Sequence, residues 1–368
     1  MNHPKKKIAF LGIKGLPSKG GADRVVEAIA NNLSEEFDIS VYGSHSCSKD
    51  FQSDDIKLIK VKNLRGKHLS SFSLFLLSSF HALICKNFDL VHVHNTDAGF
   101  IIPLLRLKYK VIATSHGYPY KRDKWNYLAK RFLKFSEALF FQNSSVITCV
   151  SKSISEELNG RYNKDIHFIP NGIDKPYIEE QDYIIEELGL EDKEFLCFAA
   201  GRVDPTKGCH ILLQALNRIN RNISVVAIGD FSHKKDYSKK LFQMADERVK
   251  FVPFIEDKKD LFGIIKRAKL FVFPSTVEAM SMMLLEVAAL GVPIICSDIP
   301  ENTSVLEDRT IYFKSEDVKD LIEKIEFCLD NYNAISERAV KTKQWVTERY
   351  NWKNIVNKYK NIYIALAQ

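Results

Sequence analysis

Cysteine is sparse in this sequence and never closely paired. The 368 residues hold seven cysteines, and no C-x-x-C spacing occurs. Most of the seven lie inside apolar runs such as FLCFAA and PIICSD. Zinc sites and disulfide frameworks need cysteines at short spacings or in a small cysteine-rich chain. We therefore exclude both classes and expect reduced, buried thiols in a cytoplasmic protein.

Long hydrophobic runs are also absent. Residues 69–84, LSSFSLFLLSSFHALI, come closest, but they are too few and too rich in serine to cross a bilayer, which takes ~20 mostly apolar residues. The pattern predicts a buried helix, and contact of one helix face with lipid is the alternative. The basic start, MNHPKKKIAFLGIKG, is followed by only a short apolar run, which favours a first β-strand over a signal peptide.

Three nucleotide-binding motifs are missing. There is no G-x-G-x-x-G fingerprint, which argues against a dehydrogenase, and no G-K-[ST] completes a phosphate-binding loop. No D-x-D occurs, so a nucleotide diphosphate bridged by a metal ion is not indicated. His92 and His94 alternate onto one face of a strand, but further metal ligands are not evident. We expect neither a cofactor nor a metal ion.

Acidic residues are outnumbered, at 46 against 53 Lys and Arg, and the net charge is +7. The imbalance lies in residues 1–175, which hold 26 basic and 16 acidic side chains, whereas the remainder holds 27 and 30. The first half is therefore expected to face an anionic partner, though not a nucleic acid. The content of 45% hydrophobic and 27% charged residues is typical of a globular protein, and the length suits two domains.

Short apolar runs alternate with helical patterns along the chain. The predicted strands of the first half are KIAFLGI, FDISVYG, IKLIKV, LVHVH, KVIATS, SVITCV and IHFIP; those of the second half are EFLCFAAG, ISVVAIGD, RVKFVPF, LFVFPS, VPIICSD and TIYF. Such alternation predicts an α/β protein with two doubly wound, mainly parallel sheets. The boundary is expected near PNGIDKP, residues 170–176, where Pro, Asn and Gly cluster.

Two loops after strands of the first half contain candidate ligand-binding residues. Gly20 and Gly21 precede an amphipathic helix, so a ligand can approach the backbone, and the helix N-terminus favours an anion. An ordinary turn is the alternative. His116 follows the strand KVIATS, so its imidazole is expected at the carboxyl edge of the sheet, where ligands of such folds bind.

The segment after His116 predicts a helix with two different faces. Apolar Trp125, Leu128, Phe132 and Leu139 share one face. The candidate acceptor or membrane-facing residues on the basic side are Lys121, Arg122, Lys124, Lys130, Arg131 and Lys134. One interpretation is a core-packed helix with a solvated basic face. The other is contact with anionic lipid or a lipid pyrophosphate.

Two loops of the second half contain charged side chains. Arg202 and Lys207, between a strand and a helix, suit a diphosphate, since Arg binds it through its fork and Lys as a point charge. A solvated pair is the alternative. Glu278 follows the strand FVFPS, and Glu286 lies inside the next helix, for which Ser281 is the expected N-cap. A charge in this apolar stretch needs a partner, and ligand hydroxyls are the predicted one.

Together these motifs resemble those of the retaining glycosyltransferases of family 4, over nearly the whole chain. The matching positions are Gly20-Gly21 in the glycine loop, His116-Gly117 in the histidine loop, Arg202 and Lys207 as the cationic pair, and Glu278 and Glu286 as the E-x7-E motif. The run from His116 to Glu137 further resembles a branch that includes rhamnosyltransferases of surface-polysaccharide assembly. One departure is Glu278-Ala279-Met280-Ser281, where the family often has E-G-F-G, and it implies a narrower sugar pocket.

The resemblance implies the GT-B architecture, two Rossmann-like domains facing across a cleft. Residues 1–172 would form the acceptor-binding domain, completed by a terminal helix, 350–368, that crosses back onto it. Residues 173–349 would form the donor-binding domain.

The resemblance implies that the protein transfers a hexose or deoxyhexose from a UDP-sugar or a dTDP-rhamnose type of donor. The transfer would need no metal ion and would retain the anomeric configuration of the sugar. The acceptor implied is a hydroxyl of a lipid-linked glycan in the synthesis of a bacterial surface polysaccharide. The reaction would take place at the inner face of the cytoplasmic membrane. Glu286 would hold the ribose, Arg202 and Lys207 the diphosphate, and Glu278 the sugar. The remaining donor contacts implied are the amides of Met280, Ser281 and Met282, together with Gly20, Gly21 and His116 after closure.

Two other functions remain open. A nucleotide-sugar 2-epimerase shares the two-domain fold but turns over its substrate without an acceptor. A non-catalytic nucleotide-sugar-binding protein would bind the nucleotide sugar but would release no nucleoside diphosphate from it. The paired glutamates with the Arg/Lys loop favour transfer.

Overall fold

Residues 4–18, 20–48, 51–64, 66, 69–121, 125–178, 182–191 and 193–367 are described by a computed structural model. The chain divides into two compact units. The first unit is formed by Met1–Gly172 and Trp352–Gln368, and the second by Ile173–Asn351.

Within its described residues, the first unit contains a parallel sheet of seven strands. They are β1 (Lys7–Leu11), β2 (Asp38–Ser44), β3 (Ile56–Val61), β4 (Leu90–His94), β5 (Lys110–Ser115), β6 (Val146–Cys149) and β7 (Ile166–Phe168). Their order in the sheet is β3-β2-β1-β4-β5-β6-β7. The helices are α1 (Gly21–Leu33), α2 (Leu69–Cys85), α3 (Ile102–Leu105), α4 (Tyr127–Asn143), α5 (Lys152–Tyr162) and the terminal helix, which is numbered α14 (Trp352–Ala367).

The second unit repeats this plan with six parallel strands among its described residues. They are β8 (Phe195–Ala200), β9 (Ser224–Gly229), β10 (Val249–Pro253), β11 (Leu270–Phe273), β12 (Ile294–Ser297) and β13 (Ile311–Phe313), in the order β10-β9-β8-β11-β12-β13. The helices are α6 (Asp182–Glu187), α7 (Cys209–Leu216), α8 (Lys235–Met244), α9 (Lys258–Arg267), α10 (Met282–Leu290), α11 (Pro300–Leu306), α12 (Val318–Asp330) and α13 (Tyr332–Arg349).

The predicted fold class is confirmed, and every strand predicted from the sequence is present. The central strands are buried along most of their length, as in KIAFL of β1 and LFVF of β11. Parallel sheets covered by helices on both faces need such continuous apolar strands, which is why the sequence pattern was sufficient to predict the strands. Both units have the doubly wound strand order of Rossmann-like domains.

The terminal helix α14 completes the core of the first unit. Tyr359 and Tyr363 on this helix are completely buried. The hydroxyl of Tyr363 lies 2.7 Å from Nδ1 of His92 on β4, and Lys360 forms an ion pair with Glu36 just after α1. The chain therefore leaves the first unit after Gly172 and returns to it at its end.

Two helices differ from their predicted burial. Residues 69–84 do form a helix, α2, but large apolar side chains along it are exposed rather than buried. On α4, Leu128 and Phe132 were expected to share a core-facing side, yet they are 74% and 38% exposed. The buried residues of α4 are instead Leu133, Ser136, Glu137, Phe140 and Phe141. Periodicity located both helices but did not identify which of their faces is covered.

Candidate active site

The strand order of the second unit creates a crevice at the carboxyl edge of its sheet. β8 lies between β9 and β11, and the chain continues from β8 towards β9 but from β11 towards β12. Ligands of open parallel sheets bind where the winding direction reverses in this way. The loops at this point are residues 201–208 after β8 and 274–281 after β11, and both contain predicted donor-binding residues.

Backbone contacts hold these two loops together. The amide of Thr276 donates a hydrogen bond to the carbonyl of Thr206 at 2.8 Å. Asp204 accepts hydrogen bonds from the amide and the hydroxyl of Thr206, at 3.0 and 2.5 Å. Gly208 has a φ of 70°, and a Cβ atom there would lie 2.0 Å from the carbonyl oxygen of Pro274. Only glycine therefore fits where the loops come closest.

An ion pair joins the same loops. Nζ of Lys207 lies 2.6 Å from Oε1 of Glu278, and the two side chains are 27% and 10% exposed. The pair is thus shielded from bulk water but still reached by it. An ammonium group has three N–H donors, and the carboxylate takes only one of them. Lys207 can therefore hold Glu278 in place and bind an anion at the same time.

The helix after β11 begins as predicted. Oγ of Ser281 accepts a hydrogen bond from the amide of Leu284 at 3.3 Å, so this residue is the N-cap of α10. Met280 and Met282, on either side of it, are buried. The loop is supported from behind, because the buried hydroxyl of Ser297 donates to the carbonyl of Ser275. A capped helix N-terminus attracts anions and negative partial charges.

Glu286 has a partner that the sequence did not reveal. Nζ of Lys258, the first residue of α9, lies 2.7 Å from Oε1 of Glu286. The carboxylate side chain is 7% exposed, whereas the lysine side chain is 49% exposed. Lys258 follows β10 in the charged stretch EDKKD, and its position just after a strand was the signal available in the sequence.

The expected explanation for Glu278 and Glu286 is therefore incomplete. Ligand hydroxyls were predicted to stabilise them, but each carboxylate already has a lysine partner, Lys207 for Glu278 and Lys258 for Glu286. The physical reason is that a carboxylate so far from water is costly without an opposite charge. The lysines supply that opposite charge, and the carboxylate oxygens can accept further hydrogen bonds.

Arg202 is exposed in the loop after β8. Burial lowers the pKa of His233 in the loop after β9, and the positive charge of Arg202 lowers it further. In the same loop, hydrogen bonding from Ser232 lowers the pKa of Asp230. Arg202 and Lys207 thus lie in one loop at the crevice, while a second loop with polar side chains is close to Arg202.

Replacing Gly208 by alanine tests whether this close approach shapes the site. We expect the free energy of unfolding to fall by about 2–4 kcal/mol, because the new Cβ adds left-handed strain to an overlap with Pro274. Gly189→Ala is the matched control: its φ is 63°, but a Cβ there would meet no atom within 4 Å. Urea unfolding measures both variants. Equal losses in the two would contradict a role for the overlap.

In the first unit, the winding direction reverses between β1 and β4. Gly12, just after β1, has a φ of 87°, and a Cβ atom there would lie 2.0 Å from the carbonyl oxygen of His94. The predicted Gly20 and Gly21 lie further along this connection, at the N-cap and first residue of α1. A Cβ on Gly21 would meet no atom within 4 Å, so the backbone is open to a ligand there.

His116, at the end of β5, belongs to a chain of histidines. Its Nε2 lies 2.9 Å from Nδ1 of His94, and the rings are stacked. Nε2 of His92 lies 2.6 Å from the hydroxyl of Thr114. Burial lowers the pKa of His116 to about 3 and holds the pKa values of His92 and His94 well below their usual range. All three imidazoles are therefore neutral near pH 7, so His116 can act as a polar contact and not as a cation.

The basic residues predicted after His116 have several environments. Nζ of Lys121 lies 4.2 Å from the ring centre of Tyr118, and Nζ of Lys134 lies 5.6 Å from that of Tyr120. Lys130 and Arg131 lie on α4 and are at least partly exposed. Arg122 and Lys124 lie outside the described residues. A role for this basic group in acceptor or lipid binding stays a prediction.

The crevice of the second unit can bind an anion and several hydroxyl groups. Its cations are Arg202 and Lys207, and its carboxylates are Glu278 and Glu286. Among the residues that the structure describes, no cluster of three or more His, Cys, Asp or Glu side chains is arranged to bind a metal ion. Arg202 and Lys207 are cations that could neutralise a diphosphate.

Comparison with known families identifies two matching regions. Residues 19–175 match the model of Glycosyltransferase Family 4, and residues 180–349 match that of Glycosyl transferases group 1. The first match includes Gly20, Gly21 and His116. The second includes Arg202, Lys207, Glu278 and Glu286.

Full-length relatives and a solved structure agree with these matches. The chain is 26% identical to the UDP-Gal:alpha-D-GlcNAc-diphosphoundecaprenol alpha-1,3-galactosyltransferase of Escherichia coli, covering 99% of this chain and 98% of that protein. It is 22% identical to the Escherichia coli O-antigen biosynthesis glycosyltransferase WclY, covering 97% and 98%. The structure of HepE from Anabaena in complex with UDP and glucose has a TM-score of 0.80 at 18% identity, covering 98% and 100%. That likeness shows a common fold.

Proposed function

Since the chain belongs to the GT-B glycosyltransferases that join a Family 4 region to a group 1 region, we propose that it transfers a hexose or deoxyhexose from a nucleotide-diphosphate sugar to a hydroxyl of a glycan. The observation that carries this proposal is the pairing of Lys207 with Glu278 at the switch point of the second sheet. This pair supports the proposal because a lysine can bind a phosphate and the carboxylate beside it can accept hydrogen bonds from a sugar.

The donor is proposed to bind along the crevice of the second unit. Arg202 and Lys207 hold the diphosphate, Glu278 with the amides of residues 280–282 holds the sugar, and Glu286 accepts hydrogen bonds from the ribose. Lys258 stays paired with Glu286. Hydrogen bonds to an ionised group are stronger than neutral ones, which favours tight binding of the ribose hydroxyls.

The rate enhancement is proposed to come from stabilisation of the leaving nucleoside diphosphate. As the bond between sugar and phosphate breaks, negative charge collects on the departing diphosphate. Cations and helix N-termini that are already aimed at it stabilise that charge more than they stabilise the ground state. Lys207 and the N-terminus of α10 fill these roles. We propose that transfer needs no metal ion and retains the anomeric configuration, with the leaving phosphate taking the acceptor proton.

The acceptor is proposed to be a lipid-linked glycan of a bacterial surface polysaccharide, reached from the cytoplasm. Two observations support this: the relative that acts on a diphosphoundecaprenol acceptor, and the basic charge of residues 1–175. The proposed donor is a UDP-sugar or dTDP-rhamnose. The HepE complex with UDP and glucose supports the first, and the resemblance to the rhamnosyltransferase branch supports the second.

Calorimetric titration with UDP, dTDP, GDP and ADP, without added metal, tests the donor site. We expect a preference for one diphosphate and a loss of about 10- to 100-fold in affinity in Glu286→Ala, because hydrogen bonds to a charged group are lost. Glu194→Ala is the matched control, since Glu194 also pairs with a lysine, Lys269, but at the amino edge of the sheet. Unchanged affinity in Glu286→Ala would refute the assigned ribose contact.

The same preparation separates transfer from the two alternatives. A transferase releases the nucleoside diphosphate in proportion to the acceptor that is added. An epimerase would interconvert the donor with no acceptor present, and a binding protein would give neither product. Acceptor-independent turnover of the donor would therefore overturn the proposed reaction while leaving the donor site intact.

A further inference from the structure

Helix α2 exposes an apolar stripe. Its exposed large residues are Leu69, Phe72, Leu77, Phe80 and Ile84, with exposed fractions from 38% to 78%. Their spacing of three to five residues keeps them on one side of the helix. Residues 69–85 contain no Asp, Glu, Lys or Arg. A helix face this apolar and this free of charge marks a surface that binds another apolar phase.

Helix α4 exposes a second apolar group with a basic border. Tyr127, Leu128, Phe132 and Phe135 are 73%, 74%, 38% and 58% exposed. Their basic neighbours are Lys130, Arg131 and Lys134. The helical spacing puts Leu128, Phe132 and Phe135 close together and sets the basic residues to the side of them. Apolar side chains bordered by cations are typical of helices that lie in a membrane interface.

An aromatic cluster joins the two groups into one surface. The ring of Phe72 on α2 lies 5.8 Å from that of Phe132 on α4, and both rings contact Phe100, at 4.8 and 5.5 Å. The apolar stripe of α2 therefore continues onto α4, and the basic residues form its edge. We call this continuous region the α2–α4 surface.

Helices α2 and α4 contribute no exposed negative charge to the α2–α4 surface. The one acidic residue in segments 69–85 and 125–143 is Glu137, which is buried. Its carboxylate is 3.3 Å from Arg161 and accepts a hydrogen bond from Tyr162 at 2.9 Å. The exposed charged groups of the two helices are therefore cations, which complement the anionic headgroups above a layer of acyl chains.

We propose that the α2–α4 surface binds an anionic lipid bilayer, with the α2 stripe and Leu128 inserted among the acyl chains and the basic residues of α4 at the headgroups. A second copy of the chain is the other apolar partner to consider. Pairing this surface with itself would bring two sets of uncompensated cations together, so charge favours the bilayer. Among the described residues, no helix is long and apolar enough to span a membrane.

The inference rests on the exposed side chains and not on the transfer reaction. Cosedimentation of the full-length protein with vesicles of phosphatidylcholine and phosphatidylglycerol in equal parts tests it. We expect Phe80→Ser with Ile84→Ser to lower the vesicle partition coefficient at least about tenfold, since two apolar side chains no longer insert. The matched control is Phe327→Ser with Val340→Ser in the second unit, where the two side chains are 49% and 61% exposed, against 44% and 78% for Phe80 and Ile84.

Charge is tested separately. Arg131→Glu with Lys134→Glu should weaken binding to the anionic vesicles and leave binding to pure phosphatidylcholine vesicles unchanged. Circular dichroism checks that each variant folds, and transfer to a water-soluble acceptor should persist in the Phe80 and Ile84 variant. Full vesicle binding in that variant would overturn the proposal. So would a dimer that dissociates in the variant, combined with no vesicle binding by the parent protein.

Discussion

Lys207→Ala will lower the rate of sugar transfer by about 10²–10³-fold, the loss typical of removing one preorganised group that stabilises developing charge. The substitution removes the cation that is held 2.6 Å from Glu278 at the crevice. It acts twice, because the diphosphate loses a partner and the shielded carboxylate of Glu278 is left near it uncompensated. Arg202→Ala is expected in the same range, through the diphosphate alone.

Steady-state kinetics with a control at the other end of the sheet will check this prediction. Lys269 also forms an ion pair, with Glu194 at 2.5 Å, and is 23% exposed, close to the 27% of Lys207. Lys269 precedes β11 at the amino edge, whereas Lys207 lies at the carboxyl edge. Lys269→Ala should therefore keep its transfer rate. If Lys207→Ala also transfers sugar at a near-normal rate, the assignment of the active site is wrong.

Acidification will destabilise the first unit strongly. His92, His94 and His116 have folded-state pKa values far below the usual 6.5, which burial causes, so they stay neutral in the folded protein. In the unfolded chain they take up protons as the pH falls through that value. The unfolded state then binds more protons, and stability decreases with falling pH. Between about pH 7.5 and 5.5 the expected loss is roughly 4 kcal/mol for three histidines.

Urea unfolding across this pH range, monitored in two variants, separates titration from packing. His92→Gln removes one of the three protons taken up, so its pH slope should fall by about a third. Tyr363→Phe is the control, because it removes the hydroxyl 2.7 Å from His92 and lowers stability but keeps all three histidines. Its pH slope should match that of the parent protein. An unchanged slope in His92→Gln would show that this imidazole does not titrate on unfolding.

The sequence was sufficient for the strands and for the loops that contain the site. Parallel strands are buried on both faces, so each strand appears in the sequence as an apolar run. Ligands of such sheets bind at the carboxyl ends of the strands, so the functional loops directly follow these runs. Gly20, His116, Arg202 and Glu278 were found in this way. Their roles in binding and catalysis remain predictions, because the geometry shows where they lie and not what they bind.

The lysine partners of Glu278 and Glu286 could not be predicted from the sequence. Lys207 is 71 residues before Glu278, and Lys258 is 28 residues before Glu286. Both contacts depend on strand order, which decides which loops become neighbours and which no local pattern encodes. For a related reason, the sequence left open whether core or lipid covers the apolar faces of α2 and α4. An apolar helix face looks the same in a sequence whether a protein core or a lipid layer covers it.

The position of α14 has a consequence for the order of folding during synthesis. The ribosome completes residues 1–172 long before residues 352–367, with the whole second unit in between. Until the last helix emerges, the face of the first sheet around His92 has no Tyr359 or Tyr363 against it. The unit that is translated first therefore acquires its complete core last, and the nascent chain carries an uncovered apolar face while the whole second unit is synthesised.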